Sequence, residues 1–296
     1  MGIGEAMALG SAVTWAVGVI LARQLGVHLP PLALNLLKNG LVLAVLAPVA
    51  LVLHAGAWPS LPATELAIVV ASGVIGIALA DTLYFRALNE LGAGRMGVIG
   101  NLYSPLVLLL GFLFLDERLG AGQWLGFALV GLGVLLVSRP PGEWRTHPQH
   151  TVRGVVIGLA AIALMAIAIV MVKRTLETQP LLWVTALRLA GAVAGLLGLA
   201  ALPAMRARMR FVASEVPWRR LLVAALLGQG LSMVLWLGGY KFTSASVAAI
   251  LNESASVFVV VLAALWLREP LGKRAFIGVV LTFSGIACIL LGRAMP

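Results

Sequence analysis

Four ionisable residues of this sequence lie inside long apolar stretches, where a charge is costly. Lys38 and Arg188 are the cations, and Asp81 and Glu253 are the acids. Glu253 interrupts ILNESASVFVVVLAALWL at 250–267, a stretch long enough to span a bilayer. A carboxylate near the middle of such a span costs about 2.5–3.5 kcal/mol on insertion scales. Charges this deep usually face a bundle interior or a wet cavity, so these four residues are the first candidates for a functional site.

Two kinds of chemistry fit these charges. A carboxylate in a low-dielectric site can bind a proton near neutral pH. If Glu253 pairs with Lys38 or Arg188 in a central cavity, protonation breaks the pair, and competition between substrate and proton then produces antiport. Alternatively, Lys38 or Arg188 holds a substrate carboxylate. The structural alternatives are a static ion pair, or a hydrogen bond from Glu253 to Asn252, Ser254 or a backbone carbonyl.

Amides and aromatic residues in the same spans extend the set of candidates. The predicted hydrogen-bonding amides are Asn35, Asn39, Asn101 and Asn252. Deep aromatic residues, predicted to line or gate the cavity, are Trp15, Tyr103 and Trp236. Those near span ends, predicted to anchor at the membrane interface, are Tyr84, Trp183 and Tyr240. Pro105 is predicted to kink its helix and to serve as a hinge beside the cavity.

Two carboxylates at span ends have a different interpretation. Glu117 and Glu269 each follow an apolar span, at a position where an ionised side chain costs little free energy. An acid at a helix N-terminus gains about 0.3–1 kcal/mol from the helix dipole. We therefore expect these residues to cap the helices that follow them, and the alternative is a gating salt bridge.

Composition excludes several classes of protein. The chain is 61% hydrophobic and 11% charged, whereas a soluble domain carries about 25% charged residues. The net charge of +10 comes from cations scattered through short loops, which does not indicate a nucleic-acid surface. Neither a metal-ligand cluster nor a phosphate-binding loop occurs, so we expect no metal, no cofactor and no enzymatic activity. The single cysteine, Cys288, cannot form an intramolecular disulfide.

Apolar runs of helix length predict ten membrane spans, typical of a multi-pass protein of the cytoplasmic membrane. They cover 4–22, 32–53, 65–85, 94–115, 120–138, 153–172, 181–202, 219–239, 244–267 and 273–292. A polar segment at 140–152 separates two halves, predicted as 1–139 and 153–296.

Rare residues recur at matching places in the two halves. Glu117 and Glu269 are 152 positions apart, as are Gly126 and Gly278, Gly133 and Gly285, and Asn101 and Glu253. Lys38 and Arg188 are 150 apart. Each half holds five spans, so tandem copies must insert in opposite orientations. The sequence therefore predicts an all-α fold of two inverted five-helix repeats around a central cavity, the usual build of a secondary transporter.

Loop charges predict the orientation. The side that carries both termini has five cations, and the other side has fourteen. The positive-inside rule then places the termini outside the cell.

Three segments resemble the drug/metabolite transporter superfamily, in its EamA-like branch. They are ADTLYFRAL at 80–88, NLYSPLVLLLGFLFLDERLGAGQWLGFALVGLGVLLV at 101–137 and ILNESASVFVVVLAALWLREPLGKRAFIGVVLTFSGIACILL at 250–291. The first half matches the family pattern at Pro105, Glu117, Gln123 and Gly126. The second half matches at Glu269 and Gly278, but Val257 replaces the proline and Ala275 replaces the glutamine.

The resemblance implies alternating access to a central cavity for small organic solutes such as amino acids. It also implies cytoplasmic termini, opposite to the charge count. The leading expectation is therefore a secondary transporter, with export as its direction and protons as a candidate coupling ion. The alternatives are an uncoupled facilitator, an integral-membrane enzyme, and a scaffold without transport activity.

Overall fold

The protein is helical throughout the part that the computed structural model describes. The described residues are 2–25, 29–55, 59–91, 96, 99–138, 148–206, 209, 211–266 and 273–291. In the first half the helices are α1 (Ile3–Leu25), α2 (Pro31–Leu53), α3 (Ala63–Gly73, Val74–Leu79 and Ala80–Leu91), α4 (Tyr103–Phe114) and α5 (Ala121–Ser138).

The described part of the second half contains five more long helices. They are α6 (Pro148–Thr178), α7 (Leu181–Ala201), α8 (Trp218–Val223, Ala224–Leu231 and Ser232–Phe242), α9 (Ala245–Glu253 and Ala255–Trp266) and α10 (Lys273–Leu291). The described part of the segment between α7 and α8 includes a helical turn, Pro203–Arg206, and a 3-10 turn, Ala213–Glu215.

Seven of these helices are long and apolar enough to cross a membrane, namely α2, α3 and α6 to α10. Tyr103–Phe114 and Ala121–Leu136 are shorter apolar helices. Large apolar side chains cover much of the outer surface: Val52, for example, is 73% exposed and Leu265 is 75% exposed. Exposed apolar surface on this scale is suited to lipid, so the prediction of a multi-pass integral membrane protein is confirmed.

Two helices extend well beyond the predicted spans. α3 continues to Leu91, although the span was predicted to end at 85, and α6 runs from Pro148 to Thr178 instead of 153–172. The last residues of the predicted linker, from Pro148 onward, are therefore helical. The rest of that linker, together with the 267–272 segment that contains Glu269, lies outside the described residues.

Helices of the two halves are interleaved, so the halves do not form separate cores. α1 packs against α8 and α9, and α6 packs against their counterparts α3 and α4. Likewise α2 packs against α8, and α7 packs against α3. The remaining major contacts join counterparts directly, in the pairs α2–α7, α4–α9 and α5–α10. The contact pattern thus repeats when each helix is replaced by its counterpart five places along.

Glycines let α5 and α10 approach closely. A Cβ atom on Gly126 would lie 2.8 Å from the carbonyl oxygen of Gly285, and one on Gly133 would lie 2.6 Å from that of Gly278. Residue numbers rise along α5 as they fall along α10, so these two helices run antiparallel. Close approach of small residues is the usual way in which helices associate in lipid, where no hydrophobic force drives them together.

Four helices are irregular, and their irregularities recur at the repeat spacing. α3 is π-helical at Val74–Leu79, and α8 is π-helical at Ala224–Leu231, 150 positions further on. Asn101 and Leu102 form a turn before α4, and Ser254 interrupts α9 at 152 positions beyond Leu102. Such irregular backbone at membrane depth is tolerated where it is buried in protein or lines a cavity.

Pro105 explains the turn that precedes α4. A proline lacks the amide hydrogen and its ring clashes with the carbonyl four residues earlier, which is that of Asn101. The structure places Pro105 in the first turn of the helix Tyr103–Phe114, where a proline is tolerated. The predicted kink is therefore a helix break just before Pro105. Val257, the counterpart of Pro105, follows an interruption as well.

Candidate functional site

Asp81 and Lys38 are half-buried, and the second predicted cation, Arg188, is fully buried. Because α3 continues to Leu91, Asp81 lies well inside its helix and not near its end. The charges of Lys38 on α2 and Arg188 on α7 both act on the Asp81 carboxylate, with Lys38 the stronger influence. None of the ion pairs found within 4.0 Å among the described residues includes these three side chains. The group is therefore electrostatically coupled but not locked by direct salt bridges.

Arg188 is the largest fully buried side chain among the described residues, only 1% exposed. Its guanidinium lies over the ring of Trp236, with 5.3 Å between the guanidinium carbon and the ring centroid. On the α3 side, Gly76 makes room for it, since a Cβ atom there would lie 3.0 Å from Nη2. Within the described part of the chain, Nε and Nη1 are buried and have no hydrogen-bond partner.

Two tyrosines join this group through their hydroxyls. The hydroxyl oxygens of Tyr103 on α4 and Tyr240 on α8 are 2.9 Å apart and share a hydrogen bond. Tyr240 also packs edge-on against Trp236, with ring centroids 5.1 Å apart. The prediction that Tyr240 anchors at the membrane interface is wrong, because this residue is 0% exposed. Tyr103 and Trp236 lie in the interior beside Arg188.

Glu253 does not form the ion pair that the sequence suggested. Its Oε1 accepts a hydrogen bond of 3.1 Å from the backbone N–H of Ser104, in the first turn of α4. The local alternatives are not realised either: Asn252 donates to the carbonyl of Ala248, and the Ser254 hydroxyl donates to that of Leu251. Glu253 lies at the interruption of α9 and binds an amide left free by the break in α4, so it links the two halves.

A chain of amides follows α2 beside Lys38. Asn39 donates from Nδ2 to both oxygens of Asn35, at 2.9 Å each. Gln229, in the π-helical part of α8, donates from Nε2 to Oδ1 of Asn39 at 3.1 Å. Gln229 was not among the predicted residues, although a glutamine within an apolar run indicates a buried hydrogen-bonding position. Nδ2 of Asn35 and of Asn101 are buried without a partner in the described structure.

Glu117 caps a helix, but a different one from that predicted. Its carboxylate accepts hydrogen bonds from the backbone N–H groups of Ala245 (2.6 Å) and Ser246 (2.9 Å), and from the Ser246 hydroxyl (2.7 Å). The capped helix is α9 of the second half, not the following helix α5. Asp116 adopts a left-handed conformation, with φ of 57°, and so turns the chain to direct Glu117 toward α9.

Cations at the same end of the bundle hold further helix ends together. Lys241 donates to the backbone carbonyls of Leu176 (2.6 Å), Glu177 (2.8 Å) and Gln179 (2.7 Å) at the end of α6. Lys173, which follows the predicted span 153–172, lies within α6, is 2% exposed and pairs with Glu177. These side chains line a cavity of about 370 Å³ together with Glu117.

Pro105 and Trp15 have different surroundings. Pro105 lines a second cavity, of about 550 Å³, among side chains of α4 and α5 together with Glu117, Arg118 and Ser246. Trp15 is 45% exposed. Within the described residues, no three His, Cys, Asp or Glu side chains are grouped so as to hold a metal ion.

Comparisons with known proteins agree with this architecture. The model of the EamA-like transporter family matches residues 2–139 and again 152–291. A protein of Sinorhizobium sp. described as an uncharacterized transporter in the cobO 3' region is 33% identical over 107 residues, which cover 35% of this chain and 74% of that protein. A crystal structure that is 19% identical matches with a TM-score of 0.81 over 99% of this chain and 98% of the other, which shows the same fold.

Proposed function

Because this chain belongs to the EamA-like transporter family, we propose that it is a secondary transporter that exports small organic metabolites such as amino acids by alternating access. Membership supports a small-molecule substrate and membrane embedding. It also favours transport over the enzyme and the scaffold that composition alone left open.

The proposed architecture is ten transmembrane helices, arranged as two inverted five-helix repeats around a central cavity. The repeats are residues 1–139 and 153–296, joined by 140–152. The antiparallel packing of α5 on α10 supports the inversion, since counterparts in inverted repeats run in opposite directions. The π-helical segments, 150 positions apart, support it as well.

One observation carries the functional proposal: ionisable side chains from both halves gather in the interior, where a purely structural bundle needs none. Lys38 and Asp81 come from the first half and Arg188 comes from the second, and their charges interact. Intramembrane charges usually mark substrate or ion pathways. The proposed substrate and coupling residues are Lys38, Asp81, Arg188, Glu253, Asn35, Asn101 and Asn252. Trp15, Tyr103 and Trp236 are the proposed cavity aromatics, and Pro105 is the proposed hinge.

Two coupling schemes follow from the contacts of Glu253. In a proton-coupled exporter, protonation of Glu253 weakens its bond to the Ser104 amide and so changes how α4 and α9 are held together. In an uncoupled facilitator, Glu253 serves only to satisfy that amide. The observed bond of 3.1 Å is the reason to keep the second candidate.

A counterflow assay in proteoliposomes tests the proposal. Purified protein is reconstituted with unlabelled amino acids, organic cations or sugars inside, and uptake of the labelled solute is measured with and without a pH gradient. Uptake that responds to the gradient supports the proton-coupled exporter, and uptake that ignores it supports the facilitator. No uptake of any solute class above protein-free liposomes contradicts the proposal.

A further inference from the structure

Arg188 carries a buried charge without a directly paired acid among the described residues. Lys38 and Arg188 both act on Asp81, and Lys38 acts on it more strongly. Glu253, the other acid of the interior, accepts a hydrogen bond from the Ser104 amide. No carboxylate of the described structure lies within 4.0 Å of the Arg188 guanidinium, in a place where an unpaired charge is expensive.

Hydrogen bonding at Arg188 is equally incomplete. Nε and Nη1 are buried and unpartnered in the described structure, whereas buried polar groups are almost always hydrogen-bonded. The side chain is held in place all the same, by the ring of Trp236 at 5.3 Å and by the backbone beside Gly76. A guanidinium that is fixed in orientation and has two nitrogens without acceptors is arranged to receive an acceptor from outside the chain.

The neighbouring tyrosines add a further donor. When two hydroxyls share one hydrogen bond, only one of them donates, so the proton of the other remains available. The shared bond of Tyr103 and Tyr240 leaves one such proton, and Arg188 lies near enough to interact electrostatically with both hydroxyls. The surroundings thus offer several hydrogen-bond donors beside the charge of Arg188.

We propose that Arg188 is the anchor of an anion subsite that takes a carboxylate group of the transported solute. A carboxylate fits because its two oxygens match the planar guanidinium in a bidentate, charge-assisted pair. Lys38 is less suited, since an ammonium binds as a point charge and this one acts on Asp81 more strongly than Arg188 does. The role in transport rests on the proposed function, but binding of the anion does not.

The test is thermal stabilisation of the purified protein in detergent by sodium benzoate and sodium acetate. Benzamide and acetamide serve as uncharged controls of the same shape, and sodium chloride is used at equal ionic strength. A ligand that binds only the folded state raises the unfolding temperature in a saturable way. We expect the carboxylates to do so and the amides not to do so.

Three variants assign the effect to Arg188. In Arg188→Gln the stabilisation weakens about tenfold or more, as expected when charge-assisted hydrogen bonds are lost. In Arg188→Lys the stabilisation is intermediate, because the positive charge remains but the planar guanidinium that donates two parallel hydrogen bonds is absent. Arg86→Gln removes an exposed cation and leaves the binding unchanged. The unliganded Arg188→Met protein unfolds at an equal or higher temperature than the wild type, because an unpaired buried charge has been removed.

Either of two results overturns the subsite: no saturable stabilisation of the wild type by benzoate or acetate, or equal stabilisation of wild type and Arg188→Gln. A lower unfolding temperature of Arg188→Met would mean that Arg188 stabilises the unliganded fold, and this too contradicts the proposal.

Counterflow separates the two proposals. Carboxylates that bind through Arg188 but are never transported contradict only the transporter, whereas transport that survives in Arg188→Gln with unchanged affinity contradicts only the subsite.

Discussion

Gly126 and Gly285 meet across the contact between the two repeats, and each occupies the space that a side chain on the other would need. A Cβ atom on Gly126 would lie 2.8 Å from the carbonyl oxygen of Gly285, and the reverse distance is also 2.8 Å. Gly126 and Gly133 correspond to Gly278 and Gly285, and in the structure the pairs are crossed, 126 with 285 and 133 with 278. Crossed pairing of this kind is the signature of a two-fold relationship between equivalent surfaces.

Gly126→Val is expected to separate α5 from α10, because the new side chain would collide with backbone atoms that cannot move independently. We expect a loss of about 1–3 kcal/mol of stability, as in other overpacked interiors. Gly131→Ala is the matched control in the same helix, since a Cβ atom there meets nothing within 4 Å. The measurement is the fraction of monodisperse protein left after heating in detergent. Equal survival of the two variants would contradict the tight contact.

Glu117→Gln is expected to destabilise the start of α9. The carboxylate accepts three hydrogen bonds, whereas a glutamine offers only one acceptor oxygen and turns its NH₂ group toward backbone donors. Leaving buried donors unsatisfied costs about 1–3 kcal/mol. The unfolding temperature should fall accordingly. Asp116→Gly is the control at the adjacent position. Glycine adopts a φ of 57° without strain, so the stability of this variant should be unchanged or higher.

Glu253→Gln is expected to fold normally but to lose transport or its response to a pH gradient. The glutamine carbonyl can still accept the hydrogen bond from the Ser104 amide, so the link between α4 and α9 is kept. What is lost is the ability to exchange a proton. The check is counterflow over a range of pH values, alongside the elution profile of the purified variant. Wild-type transport at every pH would mean that Glu253 serves only as a cap for the broken helix.

Lys38→Ala is expected to weaken substrate binding, since it removes the cation that most influences Asp81. Binding is measured as the half-saturating solute concentration in counterflow. A double-mutant cycle with Asp81→Ala then tests for a static pair: coupled residues show interaction energies of about 0.5–3 kcal/mol in stability. Unchanged affinity together with strong coupling in thermal stability would replace the functional interpretation with a structural one.

Much of the fold could be predicted because it depends on local features of the chain. Runs of apolar residues predict membrane helices, since every backbone polar group in lipid must be hydrogen-bonded within its own segment. The rare residues at offsets of 150 and 152 positions indicated the two halves, and the matched glycines of α5 and α10 were found by the same spacing. Lys38, Asp81 and Arg188 were recognised because a charged residue stands out in an apolar run.

Partners in space could not be predicted in the same way. The 3.6-residue period of a helix tells which residues share a face, but not which other helix that face meets. Glu117 therefore looked like a cap for α5 and instead caps α9, and Tyr240 looked like an interface anchor and instead is buried beside Tyr103. For Glu253 the sequence determined that a buried carboxylate needs a partner, and only the tertiary structure decided that this partner is an amide at the break in α4. The reason is that Ser104 and Glu253 are brought together by the packing of α4 on α9, which is a property of the folded bundle and not of either segment.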